Sequence, residues 1–226
     1  MRKKVVATAL SLTLVFGIAI GVSAAPVLEK VSAHLHHTMN FVLDGQEWTP
    51  TGQDGRDLTP IVYEETTYLP VRAVGEAVGI AVDWDQETQS VILGERTGEF
   101  PITSEELDLN YSSFATVDKA YTVQNGVDYQ SGIVLEQLNS ASKDFDLVSN
   151  NKYQTLDLSI FALDKDEDYR VQISNESGVV LKDITLSPEQ TSREFQVDIG
   201  GMKEITISAK SSLGGSSSLF ITGSYQ

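Results

Sequence analysis

The stretch from Thr67 to Gly94, TYLPVRAVGEAVGIAVDWDQETQSVILG, decides how the first half of this protein is built. Pro70 removes a ladder donor and so ends a strand. Beyond it the apolar residues Val71, Val74 and Val78 recur at the spacing of one helical face. Gly79 follows where a helix ends on a left-handed residue. The stretch therefore predicts a short helix with these valines on one face, beside Ala73 and Ala77.

A hairpin is predicted on each side of this helix. Before it, Ile61-Val62-Tyr63 and Thr67-Tyr68-Leu69 flank a polar turn at Glu64-Glu65. After it, residues 80–85 alternate, and the segment SVIL at 90–93 pairs back. The alternation predicts that three side chains are buried together: Ile80, Val82 and Trp84. The unit is a small α+β fold of the type hairpin, helix, hairpin.

The residues upstream continue this pattern. Apolar side chains alternate from Leu35 to Leu43 and predict a strand, and Asp44-Gly45 is typical of a hairpin turn. Residues 50–60 are rich in Gly, Asp and Pro and predict a loop. We expect a first domain over residues 35–94.

Three segments of this region resemble a known family: LDGQEW, TPIVYEETTYLPVRAVGEAVG and VDWDQETQSVILG. They are similar to the N-terminal stalk domain of copper amine oxidases, which is common in secreted bacterial proteins. The resemblance covers residues 35–94 and implies a stalk or spacer domain. It implies no copper or quinone chemistry, because that chemistry belongs to a catalytic domain whose motifs are not found here.

The N-terminus reads as a secretory signal peptide. MRKK supplies a basic start, residues 5–20 are apolar, and Val22-Ser23-Ala24 supplies the small residues of a cleavage site. We expect cleavage after residue 24 and a secreted, cell-envelope-associated protein without a membrane span. The alternative is an uncleaved anchor helix, for which the apolar run is short.

Composition excludes several function classes. The chain has 226 residues, no cysteine and a formal net charge of −16. The lack of cysteine excludes disulfides and thiolate chemistry. A strongly acidic protein is repelled by nucleic acid and by anionic lipid, since both attract cationic surfaces. The charge favours solubility after export, with cationic partners or calcium as the alternative.

The sequence pattern changes after residue 94. Residues 95–109 are acidic, contain Gly98 and Pro101, and predict a linker. From residue 110 to 226 short alternating segments are separated by turns, which predicts an antiparallel β-sandwich or jelly roll. The stretches YQTLDLSIFALDKDEDYRVQIS and FQVDIGGMKEITISAK are similar to the NPCBM family of carbohydrate-binding modules. This resemblance implies a jelly roll that binds sugars, although fold transfers better than ligand.

Two clusters are candidate metal sites. His34, His36 and His37 are the three histidines of the chain, but no further ligands are evident. Asp164, Asp166 and Asp168 have the alternate spacing that begins a calcium loop. Tyr169 and Asn175 stand where an EF-hand requires Gly and Glu, so a structural calcium between loops and a solvated acidic turn remain as alternatives.

Catalytic motifs are not evident. The histidines cluster in one segment, there is no G-x-S-x-G elbow, and no carboxylate pair stands in apolar surroundings. We therefore expect a protein that is not an enzyme and has no cofactor beyond the calcium just considered.

Tyrosines are the candidate sugar platforms, because the second half has no tryptophan. Tyr153 and Tyr169 flank the acidic turn and are the predicted ligand-binding residues. The function predicted is a cell-surface binding or structural protein, with a cell-wall glycan as ligand of the β-sandwich. The alternative is a scaffold that binds envelope proteins and has no affinity for sugars.

Overall fold

Antiparallel sheets make up most of the protein. A computed structural model describes residues 28–212 and 217–226. The predicted signal peptide lies outside the described residues. The chain divides into two compact units, Met1–His34 and Leu35–Gln226. Residues 28–33 have no regular secondary structure, and β1 (His34–Leu35) lies where the units divide.

The stretch quoted first folds largely as its pattern predicts. β4 (Ile61–Tyr63) and β5 (Thr66–Tyr68) form one hairpin, and β6 (Val82–Asp85) and β7 (Ser90–Leu93) form another. Between them lies α1 (Val71–Val78). The prediction of a hairpin, a helix and a hairpin is confirmed for these elements.

The predicted strand from Leu35 to Leu43 is interrupted. Residues 36–40 lie outside the strands and contain a turn at 37–38, and strand structure resumes at β2 (Phe41–Leu43), which pairs with β3 (Gln46–Trp48). Asp44 and Gly45 between these strands have φ angles of 49° and 80°. Two successive positive φ angles match the right-handed strand twist, so the predicted tight turn is confirmed.

The helix α1 ends on the glycine that the sequence indicates. Gly79 has φ 71° and ψ 34°, a left-handed conformation. The N–H of Ile80 donates to the carbonyl of Gly75 at 2.8 Å, which satisfies one of the last helical carbonyls. A glycine is needed at this position because a side chain makes the left-handed conformation costly.

The prediction that Ile80 and Trp84 are buried together with Val82 is wrong, and the valines of α1 are exposed as well. Val71, Val74 and Val78, which we call the valine face, are 44%, 37% and 50% exposed. Trp84 is 48% exposed, and Ile80 is also exposed. Of the three side chains predicted to be buried in the second hairpin, Val82 alone is covered, at 3% exposure.

Small residues explain why the helix turns a different side inward. Ala73 and Gly75 are the buried residues of α1. A Cβ at Gly75 would lie 2.4 Å from Cγ2 of Val82, so the helix backbone approaches β6 where a side chain is missing. Arg72 donates to the carbonyl of Val82 and has no ion pair with Glu76 among the described residues. Close backbone approach, rather than the larger apolar side chains, therefore sets the orientation of α1.

The second half contains a six-stranded sheet. Five of its strands follow the order β10-β13-β20-β15-β18, and β8 pairs with the far end of β20. The strands are β8 (Phe100–Pro101), β10 (Ser113–Thr116), β13 (Gly132–Leu138), β15 (Thr155–Ala162), β18 (Ser192–Asp198) and β20 (Ser217–Tyr225).

A five-stranded sheet faces it, in the order β17-β16-β19-β14-β9. Its strands are β9 (Leu107–Asp108), β14 (Lys143–Val148), β16 (Tyr169–Asn175), β17 (Val180–Leu186) and β19 (Glu204–Ser211). A short segment outside both sheets holds α2 (Lys119–Thr122) and the hairpin of β11 (Val123–Gln124) with β12 (Val127–Asp128).

One core joins the two sheets. Leu158 and Ile160 of β15 and Val171 and Ile207 of the opposite sheet are all buried in the same cluster. Burying a side chain of this kind contributes about 1.5–3 kcal/mol. The predicted antiparallel β-sandwich is confirmed in this sense: two antiparallel sheets share one apolar interior.

The segment predicted as a linker takes part in this sandwich. Residues 95–109 contribute β8, β9 and a 3-10 helix, Ile102–Ser104. Ile102 is 1% exposed and belongs to the core. The few apolar residues of this segment are enough to anchor it to the sandwich, because Phe100, Leu107 and Leu109 also pack against the core.

Hydrogen bonds also join the α1 region to the sandwich. The N–H of Val82 donates to the carbonyl of Asn151 at 2.8 Å, and Gln154 Oε1 accepts from the N–H of Ala81 at 3.0 Å. Residues 35–226 form one compact unit. The division of this unit into domains at residues 94 and 110 stays a prediction.

Candidate functional site

The outward face of the six-stranded sheet carries the candidate site. Along β15, Leu156, Leu158 and Ile160 point to the core, so Asp157 and Ser159 point outward. Such alternation is common where one sheet face is packed and the other is solvated. These outward residues are small and polar, which leaves room above the sheet.

The far end of the same face is apolar and covered. Phe161, Val134 and Phe220 form a second, smaller cluster on this side of the sheet. Tyr121 and Tyr129, from the segment that holds α2 and the β11–β12 hairpin, pack against it. The cover stops at Tyr129, and from there the face is open.

A groove of about 510 Å³ begins at this boundary. We call it the polar groove. Its floor is formed by outward side chains of β15, β18 and β20, and its sides by residues near β8 and after β12. The lining includes Asp157, Ser159, Glu194, Thr222 and Ser224 in the floor, and Glu99, Pro101, Tyr129, Gln130 and Ser131 at the sides.

Strand register arranges the floor in rows. Ser159 lies opposite Glu194 of β18 on one side and Thr222 of β20 on the other. Asp157 lies opposite Ser224 of β20. Directly opposite residues of antiparallel strands share a face, with Cβ atoms about 4.5–5.5 Å apart. The floor is therefore a closely spaced grid of hydroxyl and carboxylate groups.

Neighbouring groups hold part of this grid in place. Thr222 Oγ1 donates to the carbonyl of Ser131 at 2.8 Å. Asp157 Oδ2 accepts from Gln226 Nε2 at 3.2 Å. Among residues 28–212 and 217–226, no partner is found for the side-chain hydroxyls of Ser159 and Ser224. These two hydroxyls are free to bond a ligand.

Tyr129 forms the aromatic wall of the groove. Its ring packs against Phe161 with centroids 5.1 Å apart, which fixes the plane of the ring. Its hydroxyl donates to Glu194 Oε1 at 3.4 Å. Burial raises the pKa of the Tyr129 hydroxyl, and the charge of Glu194 raises it further. The hydroxyl therefore stays protonated and remains a hydrogen-bond donor.

All ionisable side chains in the groove other than Tyr129 are acidic. The carboxylates belong to Glu99, Asp157 and Glu194, and the lining contains neither Lys nor Arg. Within the described part of the chain, none of the three carboxylates forms an ion pair. The arrangement can accept hydrogen bonds and attract cationic groups, and it repels anions.

Tyr153, a predicted ligand residue, is a core side chain. It is 1% exposed and stacks on Tyr225. Its hydroxyl donates to Glu105 Oε1 at 2.5 Å, and burial together with this carboxylate raises the pKa of Tyr153. A covered ring offers no face to a sugar.

Tyr169, the other predicted ligand residue, is also 1% exposed. Its hydroxyl donates to the carbonyl of Asp164 at 2.8 Å. Burial, and then the charges of Asp164 and Glu167, raise the pKa of Tyr169 to about 12. The ring closes the end of the core beneath the acidic turn. The role predicted for the two tyrosines stays a prediction.

The acidic turn is exposed. Asp164, Asp166 and Asp168 all lie at the surface, and Asp164 Oδ2 accepts from the N–H of Ser218 at 2.8 Å. Among residues 28–212 and 217–226, no group of three His, Cys, Asp or Glu side chains is placed to hold a metal ion. The predicted structural calcium at this turn stays a prediction.

Two of the histidines line another cavity. His36 and His37 border a cavity of about 380 Å³ together with Met39, Trp48 and Asp57. His34 is exposed in β1. The cavity brings two imidazoles near an aromatic side chain, but it assembles no set of metal ligands among the described residues.

Tyr129 is one of several tyrosines in the second half, and its position in the sequence does not distinguish it from the others. Two signals are present in the sequence: the alternation TLDLS places Asp157 and Ser159 on one strand face, and Tyr129 begins the alternating segment YQSGIVLEQL. What joins them is the pairing of β15 with β20 and of β20 with β13. These pairings bring together residues far apart in sequence, and no local pattern indicates them.

The comparison with protein families confirms the first resemblance. Residues 49–137 match the family described as the copper amine oxidase N-terminal domain. The match starts and ends later than the predicted range of 35–94. No curated protein matches this sequence.

Solved carbohydrate-binding modules are among the similar structures. One is the structure of CBM51-2 in complex with GlcNAc and INT domains from Clostridium perfringens ZmpB. Its TM-score is 0.45 and its sequence identity is 8%. The alignment covers 74% of this chain and 43% of that chain. Another is CBM51 from Clostridium perfringens GH95 in complex with methyl-galactose, with a TM-score of 0.41 and 14% identity. The alignment covers 57% of this chain and 100% of that chain. A third is TmCBM61 in complex with beta-1,4-galactotriose, with a TM-score of 0.34 and 10% identity. The alignment covers 58% of this chain and 89% of that chain.

A membrane-spanning helix needs about 20 predominantly apolar residues. Within residues 28–212 and 217–226, no helix is both long enough and apolar enough to cross a bilayer.

Proposed function

We propose that the protein is a secreted, non-catalytic binding protein of the cell surface and that its polar groove binds a glycan. The observation that carries the proposal is the grid of hydroxyl and carboxylate groups beside the fixed ring of Tyr129. Sugars present many hydroxyl groups on one side and apolar C–H faces on the other. A site that combines oriented polar groups with one aromatic surface fits both requirements.

The floor supplies the polar half of this recognition. Ser159 and Ser224 offer hydroxyls that donate and accept, while Asp157 and Glu194 accept only. These groups lie on strands rather than loops, so their positions are held by the sandwich core. Binding to a rigid site loses less conformational entropy than binding to a mobile one.

Substitution of the aromatic wall tests the proposal. Residues 25–226 are incubated with purified cell walls and with soluble polysaccharides, as wild type and as Tyr129→Ala. We expect retention of the wild type and about a tenfold loss of affinity in the variant, because one aromatic contact is removed. Tyr111→Ala is the matched control, since Tyr111 is 80% exposed and lies outside the groove. Equal binding by wild type and Tyr129→Ala would contradict the proposal.

A calcium arm is included in the same experiment. Retention is measured with and without EDTA. Loss of binding in EDTA, reversed by added Ca²⁺ and abolished by Asp166→Asn, supports the structural calcium at the turn of Asp164, Asp166 and Asp168. Unchanged binding in EDTA argues against it.

One observation favours a different class of function, a scaffold that binds envelope proteins. The valine face is exposed, and Trp84 with its cross-strand partner Val91 adds exposed apolar surface on the neighbouring hairpin. Exposed apolar patches of this kind often mark protein contacts. Asp85 and Glu87 lie in the same hairpin as Trp84 and are acidic, so the partner that fits is an apolar and basic protein segment.

The two functions are separated by a second variant. Val74→Ser with Trp84→Ser removes exposed apolar surface outside the polar groove. If the protein is a scaffold, we expect this double variant to lose binding to the cell wall, while Tyr129→Ala still binds it. If the groove carries the function, the order is reversed. Circular dichroism of each variant shows whether the fold is retained.

A further inference from the structure

The charge of the polar groove has a consequence for which sugar it selects. Glu99, Asp157 and Glu194 are all acceptors without an ion pair among the described residues. Carboxylic acids in proteins are ionised near neutral pH. A ligand in the groove therefore enters a negative field that no lining side chain offsets.

Two of these carboxylates lie diagonally across adjacent strands. Asp157 of β15 lies opposite Gln196 of β18, and Glu194 lies opposite Ser159. The carboxylates are thus diagonal neighbours on one face, and such positions are about 7–8 Å apart. A group bound between them can be reached by both.

The remaining lining cannot neutralise this pair. Tyr129 donates one weak hydrogen bond to Glu194, and Gln226 and Gln196 each donate one to Asp157 Oδ2, at 3.2 and 3.4 Å. Each carboxylate has about four lone-pair positions, so at least half of its capacity as an acceptor is left, and the whole of Oδ1 in Asp157. The nearest basic side chain along β18 is Arg193, which pairs in register with the inward-facing Ile160. It is therefore on the opposite side of the strand from Glu194.

We propose that the polar groove selects sugars that carry a free amine, such as glucosamine units, over N-acetylated and acidic sugars. The inference rests on the proposed function and specifies its ligand class. An ammonium group has three donors and a full positive charge, which suits two acceptor carboxylates. Acetylation removes the charge, and an acidic sugar adds like-charge repulsion, so both are selected against.

Calorimetric titration of residues 25–226 with two matched oligosaccharides tests this inference. The probes are a glucosamine tetramer and an N-acetylglucosamine tetramer of the same linkage, at low and at high NaCl. We expect the amine form to bind about tenfold more tightly at low salt, the size of one charge-assisted hydrogen bond. The difference narrows at high salt because the attraction is screened.

Substitution of the carboxylates locates the effect. The double variant Asp157→Asn and Glu194→Gln keeps the shape of the groove and removes its central charges. We expect it to bind both tetramers equally. Glu189→Gln is the control, because Glu189 is an exposed acid outside the lining and its loss leaves the preference unchanged. A preference retained in the double variant overturns the inference and indicates general attraction to an acidic protein.

The outcomes distinguish this inference from the proposed function. If both tetramers bind wild type equally and Tyr129→Ala weakens both, the groove is a sugar site without preference for amines, and the inference alone fails. If neither tetramer binds, and no other sugar is retained in the cell-wall experiment, the proposed function fails as well. Circular dichroism and thermal unfolding show that each variant is folded.

Discussion

The rings of Tyr153 and Tyr225 stack in the core with centroids 4.6 Å apart and planes 16° from parallel, yet their hydroxyls differ. The Tyr153 hydroxyl donates to Glu105, while the Tyr225 hydroxyl has no hydrogen-bond partner among the described residues. A buried hydroxyl without a partner destabilises a fold, and one that bonds a carboxylate stabilises it. The hydroxyls of two stacked tyrosines therefore have opposite effects on the stability of the fold.

Removing each hydroxyl tests this difference. Tyr225→Phe is expected to leave the free energy of unfolding unchanged or to raise it by up to about 1 kcal/mol, because an unpaired polar atom is removed. Tyr153→Phe is expected to lower it by about 1–2 kcal/mol, because Glu105 loses a donor. Urea unfolding of both variants measures the two values, and each variant is the control for the other. Equal losses in both would show that the Tyr225 hydroxyl is bonded after all.

Glu105 gives the protein a specific acid sensitivity. Burial raises the pKa of Glu105, but hydrogen bonds from Lys152 and Tyr153 outweigh burial and leave that pKa below its ordinary value of 4.5. The stabilisation from this carboxylate is therefore present above pH 4.5 and is lost as the pH falls through the folded-state pKa.

Substitution of Glu105 isolates this effect. Glu105→Gln is expected to cost about 1–3 kcal/mol at pH 7, since Lys152 and Tyr153 lose an anionic partner. The cost shrinks below pH 4.5, because the wild-type group is then protonated as well. Urea unfolding from pH 7 to pH 3 measures both curves. The neighbouring exposed residue Glu106 provides the control, Glu106→Gln, for which no such convergence is expected.

Gly75 reverses the usual effect of alanine in a helix. Glycine is normally about 1 kcal/mol less favourable than alanine in a helix interior. Here a Cβ would lie 2.4 Å from Cγ2 of Val82 and 2.9 Å from the carbonyl oxygen of Ile80. Gly75→Ala is therefore expected to destabilise by about 1–3 kcal/mol, as overpacking does. Thermal unfolding measures it, with Val74→Ala as an exposed control that changes stability little. A rise in stability on Gly75→Ala would mean that the helix does not contact β6 so closely.

The exposure of Trp84 is measurable by fluorescence quenching. The protein has two tryptophans, so Trp48→Phe leaves Trp84 as the single emitter and Trp84→Phe leaves Trp48. Trp84 is 48% exposed, whereas Trp48 is partly covered and packs edge-on against Phe41 at 5.9 Å. Acrylamide is expected to quench Trp84 more strongly. Stronger quenching of Trp48 would contradict the exposed apolar surface beside the valine face.

Local patterns in the sequence determined the elements of this protein. Pro70 and Gly79 bound the helix α1, Asp44-Gly45 forms a tight turn, and alternation marks the long strands of the second half. These features depend on backbone sterics and on a period of two or 3.6 residues, which neighbouring residues set by themselves. For the same reason the sequence indicated a sandwich and a resemblance to the stalk domain.

The tertiary structure alone decided which faces are covered and where a site forms. The valine face has the spacing of a core face, but a glycine contact with Val82 turns the helix so that the valines are exposed. The sequence predicts Tyr153 and Tyr169 as ligand-binding residues, but both are buried. Tyr129 forms a hydrogen bond with Glu194, which lies 65 residues away in the sequence. Burial and proximity depend on which strands pair over long sequence separations. That pairing is settled by packing of the whole chain, so no short stretch of sequence carries it.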